Sequence, residues 1–251
     1  MPILRPIVIS LAGFDPTSGA GCTSDIKTFE SHQVYGMAVL TANTIQTEDS
    51  FITIRWEEKS YIIQQLTILF QRYTIAAVKI GIIPTIEDLI IYINLIKTLS
   101  PKTQIIWDPV FKSSSEFNFT SLDSIEPYKE IMSKLALVTP NYLEIHQFIN
   151  SSEDAIQKAQ QLSSYCNVLL KGGHNSNALG FDYFIESEIV HTLTPTILSD
   201  YPKHGSGCVL SSAIAANIAK GDTVLEASKR AKQYIESYLN SNHTLLGYHA
   251  K

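Results

Sequence analysis

A cysteine follows a glycine-rich turn at the start of a strongly helical stretch. The turn reads HGSGC over residues 204–208, and the apolar run after it predicts a helix over 207–220. Converging backbone N–H groups and the positive end of a helix dipole predict an anion site suited to a phosphoryl group in transfer. There we expect a lowered pKa for the Cys208 thiol, whose thiolate can accept a proton from a substrate hydroxyl. Composition alone leaves a buried structural cysteine as the alternative.

Polar residues follow several apolar runs that we interpret as strands. Asp108 ends one run, which suits a carboxylate near a metal-bound phosphate or a strand-ending Asp-Pro turn. Asn141 and Glu144 lie three apart at the start of a short predicted helix, so they could face Mg²⁺ waters and phosphate oxygens, or only cap that helix. Lys171 precedes two glycines, where it could bind a phosphate as a point charge or remain solvated.

Common nucleotide-binding spacings are missing from the sequence. GxxxxGK[ST] does not occur, which excludes a P-loop protein, and the absence of GxGxxG disfavours a dinucleotide site. The glycine-rich loop over 13–21 matches neither motif and is equally consistent with an ordinary turn. No Ser/His/Asp arrangement is evident, and His174 and His204 flank the candidate site without an assigned role.

Composition indicates a cytoplasmic protein and does not exclude a small anionic ligand. The 251 residues are 45% hydrophobic and 17% charged, with a formal net charge of −5. That charge disfavours nucleic acid or an anionic membrane as the main partner. The first residues lack the pattern of a signal peptide, and no run approaches the ~18 apolar residues of a membrane span. Three cysteines without metal spacing indicate reduced thiols.

Apolar runs of strand and helix type alternate five or six times, which predicts an α/β protein. A mostly parallel sheet covered by helices on both faces follows, in one domain over 1–251. Among the predicted elements are helices over 24–34 and 151–165, the latter capped by Ser151 or Ser152, and a hairpin over 181–193.

Ligands of such sheets lie beyond the carboxyl ends of the strands. We therefore expect the polar and glycine residues that follow the strands to share one rim. These residues are Gly13, Asp15, Asn43, Gln46, Lys79, Gly81, Asp108, Asn141, Lys171, Gly172 and Gly173.

Taken together, these blocks resemble the ribokinase-like superfamily, and within it the hydroxymethylpyrimidine/phosphomethylpyrimidine kinases of thiamine synthesis. The resemblance covers nearly the whole chain and rests on residues 11–47, 78–82, 107–110, 138–144, 169–174 and 204–221. It implies a three-layer fold and phosphorylation, dependent on ATP and Mg²⁺, of the hydroxymethyl group of 4-amino-5-hydroxymethyl-2-methylpyrimidine and then of its monophosphate. It also implies a homodimer.

The resemblance further implies roles for the matching residues. Cys208 matches the catalytic base, in a turn formed by Gly205, Ser206 and Gly207. The pyrimidine is expected to contact Gly13, Asp25, Gln46 and Ile82. ATP and its phosphates are expected to contact Lys171, Asn141 and Glu144. Mg²⁺ is expected near Asp108 and Glu144, the latter through water.

Four features depart from the family pattern. Ser206 and Lys203 stand where threonine is usual, and Ile82 stands where methionine is common. The polar stretch over 112–124, which we predict to be a mobile flap, lacks the usual Ser-Gly pair. Lys203 could bear on the phosphate of a monophosphate substrate. Two alternatives stay open: a pyridoxal or pyridoxine kinase of vitamin B6 salvage, and a non-catalytic pyrimidine-binding protein on the same fold.

Overall fold

A nine-stranded sheet runs through the centre of the molecule. The computed structural model describes residues 4–111, 128–174 and 178–249. The strands are Ile7–Phe14 (β1), Tyr35–Gln46 (β2), Phe51–Trp56 (β3), Ile75–Ile80 (β4), Gln104–Trp107 (β5), Leu137–Val138 (β6), Asn167–Leu170 (β7), Asp182–Glu186 (β8) and Ile189–Leu193 (β9). The helices are Gly21–Ser31 (α1), Lys59–Arg72 (α2), Ile86–Leu99 (α3), Lys129–Met132 (α4), Ile145–Phe148 (α5), Ala155–Ser163 (α6), Ser206–Ala219 (α7) and Val224–Leu239 (α8).

The order of the strands creates a crevice at the carboxyl ends of β1 and β4. Across the sheet the order is β3-β2-β1-β4-β5-β6-β7-β8-β9. Six neighbouring strands are parallel, namely β2, β1, β4, β5, β6 and β7. Strands β3, β8 and β9 pair antiparallel at the two margins of the sheet. The chain passes from β1 to β2 on one side and returns to β4 on the other. Such a reversal separates the connecting loops and leaves room for a ligand.

Helices cover both faces of the sheet. Successive strand residues point to opposite faces, so Val8 packs in the layer of α1, α7 and α8 while Ile9 packs in the layer of α2 to α6. Ile106 and Ile105 divide between the two layers in the same way. The predicted three-layer α/β fold is confirmed.

Local sequence signals account for the ends of several elements. Thr85 caps α3, because its side chain accepts a hydrogen bond from the backbone N–H of Asp88. The predicted hairpin is β8–β9, and its turn places Ser187 and Glu188 at φ 49° and 68°. Residue pairs with positive φ match the twist of antiparallel strands.

Other local predictions are wrong or untested. The cap of α6 is Asp154 rather than Ser151 or Ser152, because Asp154 and Gln157 form a reciprocal capping box. The helix predicted over 24–34 is α1, which begins and ends three residues earlier. Strand β3 was not expected, since it is short and half exposed. The predicted flap over 112–124 lies outside the described residues.

Candidate active site

A cavity of about 920 Å³ opens at the carboxyl ends of the parallel strands. All but one of the residues expected to bind substrate, nucleotide or metal line it. Those residues are Gly13, Gln46, Ile82, Asp108, Asn141, Glu144, Lys171, Gly205, Ser206, Gly207 and Cys208. The exception is Asp25, which is fully buried.

The expected rim holds except at two positions. Asn43 does not line the cavity, because its amide turns to the carboxylate of Glu57. Gly172 is buried, and its N–H donates to the Asp182 carboxylate at 2.7 Å.

The glycine turn before α7 packs against the glycine-rich loop over 13–21. Gly205 has a φ of +72°, and a Cβ there would overlap the carbonyl oxygen of Gly19. Only glycine meets both demands. The turn therefore opens α7 at Ser206, with the N-terminal N–H groups of that helix at the cavity.

An imidazole–carboxylate contact joins the same two loops. His204 Nε2 lies 2.8 Å from an oxygen of Asp15, which also accepts hydrogen bonds from the backbone N–H groups of Thr17 and Ala20. Burial raises the pKa of the Asp15 carboxyl, but these hydrogen bonds outweigh it, so the net pKa is lowered. His204 was given no role from the sequence, since a lone histidine beside a glycine turn carries no signal of its partner.

Cys208 is half-buried, and the pKa of its thiol is higher than the sequence predicted. Burial raises its pKa above the ordinary value, and the charges of Asp25 and Asp108 raise it further. The positive charge of Lys79 and a hydrogen bond from Gly21 act in the opposite direction without outweighing burial. The predicted lowering by the helix terminus is wrong for the ligand-free protein, because desolvation of a thiolate costs more than these effects return.

Three charged residues cluster beside the first turn of α7. Lys171 Nζ lies 2.7 Å from Asp108 Oδ1 and 3.7 Å from Glu144 Oε2. Asp108 is fully buried and also accepts hydrogen bonds from Thr139 and Ser211. Asp108 therefore orients Lys171, since both its oxygens are already engaged.

Asn141 organises Glu144. The side-chain oxygen of Asn141 accepts hydrogen bonds from the backbone N–H groups of Leu143 and Glu144. The backbone N–H of Asn141 donates to Glu144 Oε2 at 2.7 Å. Burial raises the pKa of Glu144 to about 7, Lys171 lowers it and Asp108 raises it. A cation brought to this carboxylate would favour its charged form.

Gly13, Ile82 and Gln46 line another part of the cavity wall. A Cβ on Gly13 would overlap the side chain of Ile82, so glycine is needed for Ile82 to form this wall. Gln46 lines the wall, and its amide donates to Thr44 at 2.9 Å. Asp25 lies below it, where its carboxylate accepts hydrogen bonds from Ser10, Lys79 and Ser212.

Helix α8 supplies a further wall that the sequence did not reveal. Lys232, Ile235, Glu236 and Leu239 line the cavity at helical spacing. Lys232 donates to Gly180 and Asp182, and Glu236 accepts from the N–H groups of Thr196 and Ile197. The spacing was visible in the sequence, but it is equally typical of a helix buried in a core.

Lys203 does not offer its charge to the cavity. Its ammonium donates to the carbonyl oxygens of Asn242 and Thr244, at 2.6 Å and 2.7 Å. The backbone N–H of His204 donates to the carbonyl of Leu245. Lys203 therefore fastens the C-terminal tail to the glycine turn, and the suggestion that it could meet a substrate phosphate is not supported.

Fold and cavity together define an α/β protein of the ribokinase-like class. A family model described as phosphomethylpyrimidine kinase matches residues 15–251, and this chain belongs to that family. A hydroxymethylpyrimidine/phosphomethylpyrimidine kinase of Aquifex aeolicus is 33% identical over 96% of this chain and 98% of its own length.

Solved structures from both branches of these vitamin kinases are similar to this chain. A phosphomethylpyrimidine kinase from Clostridium difficile is 27% identical, with a TM-score of 0.75 over 92% of this chain and 98% of that one. A pyridoxal kinase from Staphylococcus aureus, in complex with AMP-PCP and pyridoxal, is 25% identical, with a TM-score of 0.80 over 98% and 93%. Among the described residues, no helix is long and apolar enough to cross a membrane.

Proposed function

We propose that this protein transfers the γ-phosphoryl group of ATP to the hydroxymethyl group of 4-amino-5-hydroxymethyl-2-methylpyrimidine, and then phosphorylates the monophosphate. One observation carries the proposal: Cys208, the glycine turn and Lys171 converge at one end of the cavity in a chain of the phosphomethylpyrimidine kinase family. The whole chain would act as one kinase domain.

The proposed step needs a base, an anion site and fixed positive charge. Cys208 would accept the hydroxyl proton as the substrate oxygen attacks the γ-phosphorus. Backbone N–H groups of Gly205, Ser206 and Gly207 would hold the phosphoryl oxygens in transfer, and Lys171 would offset their charge. Positioning and neutralisation of charge would supply most of the rate enhancement, with no phosphoenzyme.

Mg²⁺ fits the residues at this site only as an ion held mainly by phosphate and water. No group of three or more His, Cys, Asp or Glu side chains that could hold a metal occurs among the described residues. Glu144 is the carboxylate whose raised pKa suits a nearby cation, since Asp108 is engaged by its neighbours. When bound, the ion would neutralise charge on the ATP phosphates. ATP is the proposed co-substrate, as kinase relatives in complex with ATP analogues suggest.

A pyridoxal kinase is the second candidate. The likeness to the Staphylococcus aureus pyridoxal kinase in complex with pyridoxal favours it. Both substrates are small aromatic rings that carry a CH₂OH group, and the cysteine turn would serve either. The match to the phosphomethylpyrimidine kinase model over residues 15–251 favours the pyrimidine.

A homodimer and a cytoplasmic location are further parts of the proposal. Strand β3 lies at the margin of the sheet, and Ile45 and Ile52 are exposed there, at 62% and 66%. An open strand edge with apolar side chains suits pairing with a second copy. The three cysteines are free, as expected in a reducing compartment.

The test incubates purified protein with Mg·ATP and either the pyrimidine alcohol or pyridoxal, and reads the products by mass spectrometry. We expect mono- and diphosphate from the pyrimidine. Formation of pyridoxal phosphate as the only product would support the second candidate, a pyridoxal kinase. Binding of the pyrimidine without any product would contradict catalysis and support the non-catalytic alternative.

Cys208→Ala is the first variant to assay. Loss of a general base typically lowers a rate by about 10²–10⁴-fold, and we expect kcat to fall in that range. Cys166→Ala is the matched control, because Cys166 is a buried thiol outside the cavity. Full activity in Cys208→Ala would remove the thiol from the mechanism.

A further inference from the structure

A buried lysine–aspartate pair lies under the cavity on the side of Cys208. Lys79 Nζ is 3.0 Å from both carboxylate oxygens of Asp25, and both side chains are fully buried. Ser212, one turn after Cys208 on α7, donates to Asp25 Oδ1 at 2.6 Å. The pair is therefore fastened to α7 one turn from the thiol.

The ammonium of Lys79 keeps a hydrogen-bond donor beyond those that Asp25 accepts. It carries three N–H donors, and among the described residues only Asp25 accepts from it. Lys79 contributes to the cavity wall together with Gly81 and Cys208. A Cβ on Gly81 would lie 3.4 Å from Lys79 Nζ, so Gly81 and the ammonium are close neighbours.

Stability alone is a weak reason for such a pair. Replacing a buried ion pair by apolar side chains is often neutral or stabilising, because desolvation of two charges offsets their attraction. A fixed positive charge beside a thiol has a direct chemical effect, since it favours the thiolate.

Titratable groups from several elements interact electrostatically with Cys208. Its surroundings include Lys79 on β4, Asp25 on α1, Asp108 after β5, Lys171 after β7 and Tyr238 on α8. Burial raises the pKa of Cys208, and Lys79 is the strongest influence that lowers it. Lys79 therefore adds a positive charge near Cys208 that the sequence did not reveal.

We propose that Lys79, held in place by Asp25, is a positioning residue whose buried positive charge stabilises the thiolate of Cys208. The proposal rests on the proposed role of Cys208 as base. In that step the S–H bond forms as the substrate O–H bond breaks, and the oxygen electron pair bonds to the γ-phosphorus. The bond from phosphorus to the bridging oxygen of ADP then breaks. Lys79 keeps its proton throughout.

The test measures the thiolate of Cys208 without any substrate. The rate of alkylation by iodoacetamide is followed from pH 6 to 11, and the Cys208 peptide is read by mass spectrometry. Cys22 and Cys166 do not interfere, because they are buried and their pKa values are raised to about 12.

The variant is Lys79→Met combined with Asp25→Asn, which removes both charges and leaves no unpaired ion. We expect the midpoint of alkylation to rise, because Lys79 lowers the pKa of Cys208 more than Asp25 raises it. A rise of about half a pH unit would slow alkylation below the midpoint about threefold. The matched control is Lys232→Met with Asp182→Asn. That buried pair, 2.9 Å apart, lies on the α8 wall, and we expect the midpoint to stay unchanged.

An unchanged midpoint in a variant that still melts cooperatively would overturn the proposal. Should the double variant fail to fold, Lys79→Gln alone decides, because it removes only the positive charge while Ser10 and Ser212 still donate to Asp25. Its midpoint should rise, and a midpoint equal to or below that of wild type would contradict the proposal. The same shift is expected in the acidic limb of the kcat–pH profile. Alkylation needs no catalysis, so a shifted midpoint without phosphorylated product supports the Lys79–Cys208 coupling and counts only against the proposed function.

Discussion

Two carboxylates beside Lys171 differ in their proton affinity although they share that partner. Burial raises the pKa of Asp108, but the charges of Lys171 and Lys79 and two hydrogen bonds outweigh it, so the net pKa is lowered. Glu144 lies farther from Lys171, at 3.7 Å against 2.7 Å, and burial prevails there. Asp108 therefore stays charged as a partner of Lys171, whereas the protonation of Glu144 depends on whether a cation is bound beside it.

Glu144→Gln tests this assignment through the pH dependence of stability. A pKa raised to about 7 in the folded protein means that Glu144 contributes stability that is present below its unfolded pKa and is lost as pH rises through 7. Wild type should therefore lose up to about 3 kcal/mol relative to Glu144→Gln between pH 4.5 and 8.

The measurement is urea unfolding of ligand-free protein in EDTA across that range. Gln can still accept the N–H of Asn141, so the local turn is preserved. Parallel stability curves for the two proteins would contradict the raised pKa.

The turn over 204–208 works because a backbone conformation and a close approach coincide. Gly205 has a left-handed φ, and a Cβ on this residue would overlap the backbone of the loop over 13–21. Together with the contact between His204 and Asp15, this close approach joins the two glycine-rich loops.

Gly205→Ala should lower the stability of the protein by more than the strain of a left-handed φ alone. A left-handed alanine costs about 1–2 kcal/mol, and overlap with Gly19 adds to that. Gly221→Ala is the control, since Gly221 has a φ of +103° and nothing within 4 Å of its Cβ position. We expect Gly205→Ala to be the less stable variant in thermal melts and to lose kinase activity. Equal melting temperatures would show that the close approach has no cost.

The C-terminal tail depends on Lys203 for its attachment. Lys203→Met keeps the apolar stem but removes the hydrogen bonds to Asn242 and Thr244. We expect faster amide hydrogen exchange over residues 242–247, and no such change in the exposed-site control Lys220→Met. Protection equal to wild type would mean that other contacts hold the tail.

In the whole molecule the sheet divides the chain into a buried centre and an open margin. Helices cover both faces of the sheet, whereas Ile52 on β3 and Ile45 on the neighbouring β2 are exposed at the margin. Exposed edge strands are otherwise sites of unwanted association. A second copy of this chain would cover such an edge.

The proposed dimer is tested by light scattering during size-exclusion chromatography. Wild type should elute with about twice the monomer mass of 27.9 kDa. Ile52→Lys should elute as a monomer, while unfolding with a similar free energy per chain because the residue is exposed. A dimeric Ile52→Lys protein would place the interface elsewhere.

Much of the architecture was predictable from local patterns. Alternating apolar runs specified the three layers, since a parallel sheet must be buried on both faces. Thr85 and the 181–193 hairpin followed from short-range chemistry. Strand β3 escaped prediction because a six-residue marginal strand has too short and too exposed a pattern to stand out.

The sequence by itself determined most of the strand-end residues that reach the cavity, because the carboxyl ends of parallel strands meet at one edge and the motifs lie there. Tertiary structure alone decided their chemistry. It raised the pKa of Cys208, buried Asp25 against Lys79, and turned Lys203 toward the tail. Charge, burial and hydrogen bonding depend on neighbours far apart in the chain, 54 residues for Lys79 and Asp25, and no local pattern encodes those distances.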